Sequence, residues 1–389
     1  MSETVDSATA VTPQLCQTPL GDFLLQRYPT RRKELLQAWC GADLLLLEAV
    51  TQTLPRPASA LVVNDEHGAL CTALSASGIA TTLWTDSALA AHAAALNTAN
   101  NSAPAVDVVW STERPPAAPD IVLLRVPKQK ALLRQQLATI AGLLPAGALL
   151  LAAAMDKHTP KGLSEELQHW VGTPHREHGQ YKAHLWRTQR AAEPVPAAPE
   201  PGQNYVCEAL GIPLYALPNV FSREGLDIGS RFLLDQLPAL RPVTRAVDLA
   251  CGNGVIGLAA LQAGLATTVW FCDESAQAIA SARINAQRLL APTTSQHKTH
   301  FLHGDGLLDW SEQAPELILC NPPFHAQHTV DDFVGRRLIL QAAQVLAPGG
   351  ALCLVANRHL DYRSALQTGF RQWRVLAENR KFRVYLAER

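Results

Sequence analysis

The chain has 389 residues, and its 33 Lys and Arg against 34 Asp and Glu leave a formal net charge of −1. That length exceeds one ordinary core and suits two domains, while the charge balance excludes a global polycationic field and leaves any polyanion to local patches. The eight cysteines include no C-x-x-C pair, and Cys272, Cys320 and Cys353 lie in apolar runs. This predicts buried free thiols, a reducing compartment and no thiolate zinc site.

The opening "MSETVDSATAVTPQL" lacks the basic-then-apolar pattern of a signal peptide, and no apolar run is long enough to span a bilayer, so a cytoplasmic location is expected. From Leu61 the chain reads "LVVNDEHGAL", then "GIATTLWTD" and an Ala-rich helical run ending in Leu96-Asn97. "DIVLLRVPK" follows from Asp120 and "LLPAGALLLAA" from Leu143. Residues 191–202, "AAEPVPAAPEPG", read as an extended, semi-rigid linker between a domain of residues 1–190 and a second of residues 203–389. After it the same blocks return in order: "VDLACGNGVI" from Val247, "GLATTVWFCD", a helical run ending in Ile284-Asn285, "ELILCNPPF" from Glu316 and "VLAPGGALCLVA" from Val345. Two copies of one α/β domain are therefore predicted.

Within the second copy, strands are expected at "AVDLA", "TVWFCD", "HFLHGD", "ELILCN", "GALCLVAN" and "FRVYLAE". Helices alternate with them at "GLAALQAG" and "SAQAIASARINAQRLL", the pattern of a doubly wound sheet whose ligands bind at the carboxyl ends of the strands. Gly252 and Gly254 form a tight loop before a helix N-terminus, and with Gly257 they satisfy G-x-G-x-x-G, with Asp273 about 20 residues on, so a nicotinamide dinucleotide remains a competing ligand. Asp248 favours S-adenosylmethionine, because a carboxylate beneath the loop suits an ammonium group and repels a pyrophosphate. Asp305 at the end of the third strand suits an adenine amino group, and Asp273 or Glu274 the ribose hydroxyls. At "NPPF", the Asn321 oxygen and the Pro322 carbonyl can accept both N–H bonds of a planar amine. Pro323 adds no competing donor, and Phe324 can stack on the base.

"DLACGNGVIGL", "NPPFH", "NVFSREGLDIGSRFLL" and "ANRHLDYRSAL" together resemble the bacterial ribosomal RNA guanine-N2 methyltransferases. The resemblance covers nearly the whole chain and is greatest to their large-subunit branch, with the small-subunit branch a near relative. It implies two tandem Rossmann-like methyltransferase domains, each a doubly wound, mainly parallel seven-stranded sheet, the N-terminal one degenerate. It also implies S-adenosylmethionine as methyl donor and 23S rRNA as partner. By that similarity Asn321, Pro322, Pro323 and Phe324 are the substrate clamp, and Asp248, Gly252, Gly254, Asp273 and Asp305 the cofactor site. Phe221, Arg223 and Asp227 fall in the segment that covers the cofactor in related folds. Ala250 departs from the usual loop, which has glycine there.

The first copy keeps only Gly68 in its loop and has "RVPK" at the clamp position, so it is expected to bind no S-adenosylmethionine and to serve in RNA recognition or as a scaffold. Basic clusters occur at Arg27, Arg31, Arg32 and Lys33; at Arg125, Lys128 and Lys130; at Arg336 and Arg337; and at Arg380, Lys381 and Arg383. The cluster Arg125 to Lys130 is the favoured phosphate contact. No metal is assigned to His325, His328 or His359 and no general-base role to His325, and a monomer is expected. The alternatives are a 16S rRNA guanine-N2 methyltransferase, an adenine-N6 or protein-glutamine methyltransferase, and a nicotinamide-dependent oxidoreductase.

Overall fold

The computed structural model describes residues 13–31, 34–290, 297–323, 325–326, 329–330 and 332–389. Phe324, His328, Arg32 and Lys33 lie outside the described residues, as do residues 1–12. The chain forms two compact units, Met1–Pro199 and Glu200–Arg389.

In the first unit a hairpin of β1 (Gln14–Thr18) and β2 (Gly21–Leu25) precedes α1 (Gly41–Thr51), β3 (Ser59–Val63), α2 (Ala69–Ala76), β4 (Ala80–Thr85) and α3 (Ala88–Asn100). β5 (Asp107–Trp110), β6 (Ile121–Arg125), α4 (Lys130–Leu143), β7 (Leu149–Met155), α5 (Leu163–Trp170), β8 (Pro174–Arg176) and β9 (Ala183–Gln189) complete it. The second unit repeats the plan with the hairpin β10 (Gln203–Cys207) and β11 (Ile212–Ala216), α6 (Ile228–Leu234), β12 (Val243–Leu249), α7 (Val255–Gln262), β13 (Ala266–Asp273), α8 (Ala276–Leu290) and β14 (Lys298–His303). Then come β15 (Leu317–Cys320), a short hairpin of β16 (His325–Ala326) and β17 (Thr329–Val330), α9 (Phe333–Val345), β18 (Ala351–Asn357), α10 (Arg363–Gly369), β19 (Gln372–Glu378) and β20 (Phe382–Glu388).

Each unit is built on a seven-stranded sheet, in the order β5-β4-β3-β6-β7-β9-β8 and β14-β13-β12-β15-β18-β20-β19. The two orders are the same, which carries the duplication from sequence into topology. The first five strands of each order run parallel, and β9 and β20 join antiparallel. Central strands are covered on both faces, which is why they read as unbroken apolar runs: Val247, Ile318, Leu319 and Cys353 are all fully buried. The strand Gln372–Glu378 has no counterpart among the sequence expectations. It lies at the sheet edge, mostly exposed, and a bulge between Val375 and Ala377 breaks its alternation.

One side chain shows how closely the copies match. Asn285 of α8 donates from Nδ2 to the carbonyls of Tyr215 (2.8 Å) and Asn253 (3.0 Å) and accepts from Tyr215 N (2.8 Å), tying the β10–β11 hairpin to the glycine loop. In the first unit Asn97 donates to the carbonyls of Gln26 (2.9 Å) and His67 (2.7 Å) and accepts from Gln26 N (3.0 Å). Both asparagines are fully buried, and each is the last residue of its repeated block. Truncating one strands three backbone groups at about 1 kcal/mol or more apiece. Asn285→Ala is therefore expected to lower the stability of the second unit by about 3 kcal/mol in urea unfolding. A loss below about 0.5 kcal/mol would contradict this role.

Candidate active site

The parallel ladder sets Leu249 of β12 opposite Cys320 of β15. Asp248 precedes one member of that pair and Asn321 follows the other, so glycine loop and clamp leave the sheet side by side.

The loop begins at Ala250, which has a φ of 58°, in the left-handed region. A Cβ there costs about 1–2 kcal/mol, so the departure from glycine noted in the sequence is a strained position. Asn64 holds the same place in the first unit, at φ 63°. Gly252 and Gly254 also have positive φ, 55° and 86°. A Cβ on Gly254 would stand 3.0 Å from Ala282, whereas the space above Gly252 is open. The backbone at Gly252 can thus be approached closely from outside.

Three carboxylates surround this loop in different states. Asp248 is fully buried; its Oδ2 accepts from Gly257 N at 2.7 Å and its Oδ1 has no donor among the described residues. Burial pushes its carboxyl up to about 8, against the pull of the Gly257 N–H and with a further push from Asp273. Asp273 is occupied by backbone: Gly252 N donates to Oδ2 at 2.9 Å and Ser275 N to Oδ1 at 3.0 Å, so it shapes the loop. Asp305 is held by Arg337 of α9 through both oxygens, Nη1 donating to Oδ2 at 2.6 Å and Nη2 to Oδ1. The carboxylate expected at the adenine amino group is thus already engaged by a bidentate guanidinium.

At the clamp, Asn321 leaves the end of β15 with Pro322 buried and Pro323 exposed. Asn321 Nδ2 donates to Asp227 Oδ2 (3.1 Å) and Ser230 Oγ (2.9 Å), and its buried Oδ1 has no donor among the described residues. Asp227, expected among the cofactor-site residues, is hydrogen-bonded to Asn321 of the clamp stretch. Phe221 is 64% exposed, and the Arg223 carbonyl accepts from Gln203 Nε2 at 3.0 Å; neither has a hydrogen bond to the glycine loop among the described residues. Tyr205 OH accepts from Asn253 Nδ2 at 2.9 Å, a loop contact that the sequence analysis missed because the hairpin carrying it was not foreseen.

The favoured basic cluster is also corrected. Arg125 is ion-paired with Asp43 and only 14% exposed; burial opposes its charge, but Asp43, Cys40 and Glu66 hold it well above the ordinary range. Lys130 pairs with Glu166 at 3.1 Å, which leaves Lys128 as the exposed member of the cluster without an ion pair among the described residues. Arg336 pairs with Asp332 at 2.6 Å and Arg383 with Glu378 at 2.8 Å. Arg358, Arg380 and Lys381 are exposed at the end of the sheet that carries Asn321, since Asn357 pairs with Phe382. Among the described residues no group of three or more His, Cys, Asp or Glu is placed to hold a metal ion, and no helix is long and apolar enough to cross a membrane.

The raised carboxyl of Asp248 fixes a pH dependence. Its folded value of about 8 lies above the unfolded value of roughly 4, so the folded state holds the extra proton between them and stability falls as pH rises through that window. Asp248→Asn removes this slope. The variant is expected to gain on wild type in denaturant midpoint at pH 8 by more than at pH 5; a difference independent of pH would contradict the buried, proton-holding carboxyl.

Residues 211–386 match the Methyltransferase small domain family and residues 13–192 the RLMG N-terminal domain family. A ribosomal RNA large subunit methyltransferase G from Alcanivorax borkumensis is 43% identical over 94% of this chain and 95% of its own length. The protein of the same name from Pseudomonas fluorescens is 39% identical over 96% of this chain and all of its own. In fold, the chain is similar to a T. thermophilus 16S rRNA N2 methyltransferase solved with AdoMet and guanosine, at a TM-score of 0.76 and 22% identity over 97% of this chain and 98% of that one. With identity at this level across both units, the chain belongs to the ribosomal RNA large subunit methyltransferase G family.

Proposed function

We propose that this chain methylates the exocyclic N2 amino group of a guanine in 23S rRNA, with S-adenosylmethionine as donor. The observation that carries the reading is the pair of buried side-chain oxygens without a hydrogen-bond partner among the described residues, Asp248 Oδ1 and Asn321 Oδ1, at the ends of adjoining strands. A buried acceptor left unmade costs about 1–3 kcal/mol, and such groups persist where a ligand completes them. The open approach to Gly252, beside a carboxylate that gains from a nearby cation, fits the methionyl ammonium better than a pyrophosphate.

S-adenosylmethionine when bound supplies an electrophilic methyl on a sulfonium, the bonding pair staying with sulfur on transfer. The chain's own part is to orient the acceptor. An amino nitrogen conjugated with a purine ring is a poor nucleophile until its lone pair is turned out of conjugation. Asn321 Oδ1 and the Pro322 carbonyl, accepting its two N–H bonds, fix that nitrogen so that its lone pair faces the donor site. Proline at 322 and 323 leaves no local N–H to compete. The proton then leaves a methylated, strongly acidic nitrogen for solvent, so no dedicated base is required. Under this reading Gly252, Gly254 and Asp273 shape the donor site, and Phe324 stacks on the guanine. The first unit, residues 1–190, recognises RNA or supports the second. Arg358, Arg380 and Lys381 suit phosphates flanking the target.

The test is transfer of labelled methyl to 16S and 23S rRNA taken from cells lacking the protein, followed by nucleoside analysis. Label is expected in 23S rRNA as N2-methylguanosine, reduced about 100-fold or more by Asn321→Ala. Label confined to 16S rRNA would assign the small-subunit reaction instead, and label as N6-methyladenosine would overturn the guanine reading.

A further inference from the structure

The Asn321 amide is held by its nitrogen. Nδ2 donates to Asp227 Oδ2 at 3.1 Å and to Ser230 Oγ at 2.9 Å. A carboxylate only accepts, so the amide must turn its NH2 toward Asp227 and its oxygen away. Asp227 is fixed in turn, because it caps α6 and its Oδ2 accepts from Ser230 N at 2.9 Å. The corner has no slack: a Cβ on Gly229 would stand 2.9 Å from Asp227 Oδ2, 3.2 Å from the Phe382 ring and 3.5 Å from Asn321 Oδ1.

The first unit keeps this contact with different residues. Leu124 pairs with Val63 as Cys320 pairs with Leu249, which makes Arg125 the positional match of Asn321. Arg125 is held by Asp43, in the first turn of α1, where Ser230 lies in the first turn of α6. In both copies the first turn of that helix grips the residue that leaves the central strand. In the first it grips a guanidinium, which has no acceptor to offer; in the second it grips an amide, which has one.

We propose that Asp227, together with Ser230, is a positioning residue that locks the Asn321 amide with its oxygen toward the substrate, and thereby makes the site select an N–H donor over a carbonyl. A flipped amide would present NH2 and favour a base edge carrying a carbonyl oxygen instead. This rests on the reading of Asn321 as the clamp of a methyltransferase, and it moves Asp227 from the cofactor to the substrate side.

The lock is tested by exchanging its partners. Asp227→Asn sets two amides face to face, each able to turn, and Asn321→Asp sets two carboxylates there. The double variant restores an amide and a carboxylate with donor and acceptor exchanged, while a carboxylate oxygen still faces the substrate. Each single substitution is expected to lower kcat/KM on 23S rRNA by about 10–100-fold, chiefly through kcat, with S-adenosylmethionine affinity within about two-fold of wild type. The double variant is expected to recover at least about ten-fold over the slower single. Denaturant midpoints of the four proteins, measured without RNA, are expected to show the same recovery. Wild-type kcat/KM in Asp227→Asn, or a double variant as impaired as the two singles multiplied, overturns the proposal. If the wild-type protein methylates no rRNA, the function reading fails instead, and the stability cycle still decides the lock.

Discussion

The site depends on the parallel pairing of β12 with β15, which sets Leu249 against Cys320 in the centre of a sheet buried on both faces. Because both faces of this pair are buried, a slip would carry Asn321 into the apolar core, and the two strand ends are held together. Asp248 and Asn321 flank the paired residues, so the buried carboxyl and the amide are held together by the core itself. The cost is two buried side-chain oxygens without a hydrogen-bond partner among the described residues.

The first unit shows what the same scaffold becomes when that cost is removed. At the clamp position Arg125 closes an ion pair with Asp43, and Asn64 Nδ2 donates to the Arg125 carbonyl at 2.9 Å. At the loop, Asp65 follows Asn64 and accepts from Gly68 N at 2.9 Å and Cys71 N at 2.9 Å, which occupies the helix start with an internal carboxylate. At these two positions donors and acceptors are thus matched inside the unit. The asparagine that ties the entry hairpin to the loop, Asn97 or Asn285, makes the same backbone contacts in both copies, as a support of the fold.

The duplicated domain was legible because strand, glycine turn and helix keep their order in both halves, and turn chemistry survives where side chains diverge. The positions of the glycine loop after β12 and of the Asn-Pro-Pro stretch after β15 were legible for a related reason: each is a local departure from an apolar run, and such a departure is visible without knowing what lies opposite. What the sequence concealed is long-range pairing. Arg337 reaches Asp305 from 32 residues away, and Asn321 reaches Asp227 from 94. Asp227 reads locally as a helix cap, which it is, and nothing near it in the chain announces the amide it holds. Arg125 and Lys130 misled for the same reason, since a run of cations looks solvent-facing until the buried Asp43 and Glu166 are placed beside it.

One donor site per chain follows, in the second unit, beside a carboxyl whose proton affinity burial raises. Isothermal titration of the intact protein near pH 7, in buffers of different ionisation enthalpy, tests it most directly. The account expects one equivalent of S-adenosylmethionine per chain, with proton release that disappears in Asp248→Asn, and no heat from a nicotinamide dinucleotide. Two equivalents per chain, or dinucleotide binding in place of S-adenosylmethionine, would contradict it.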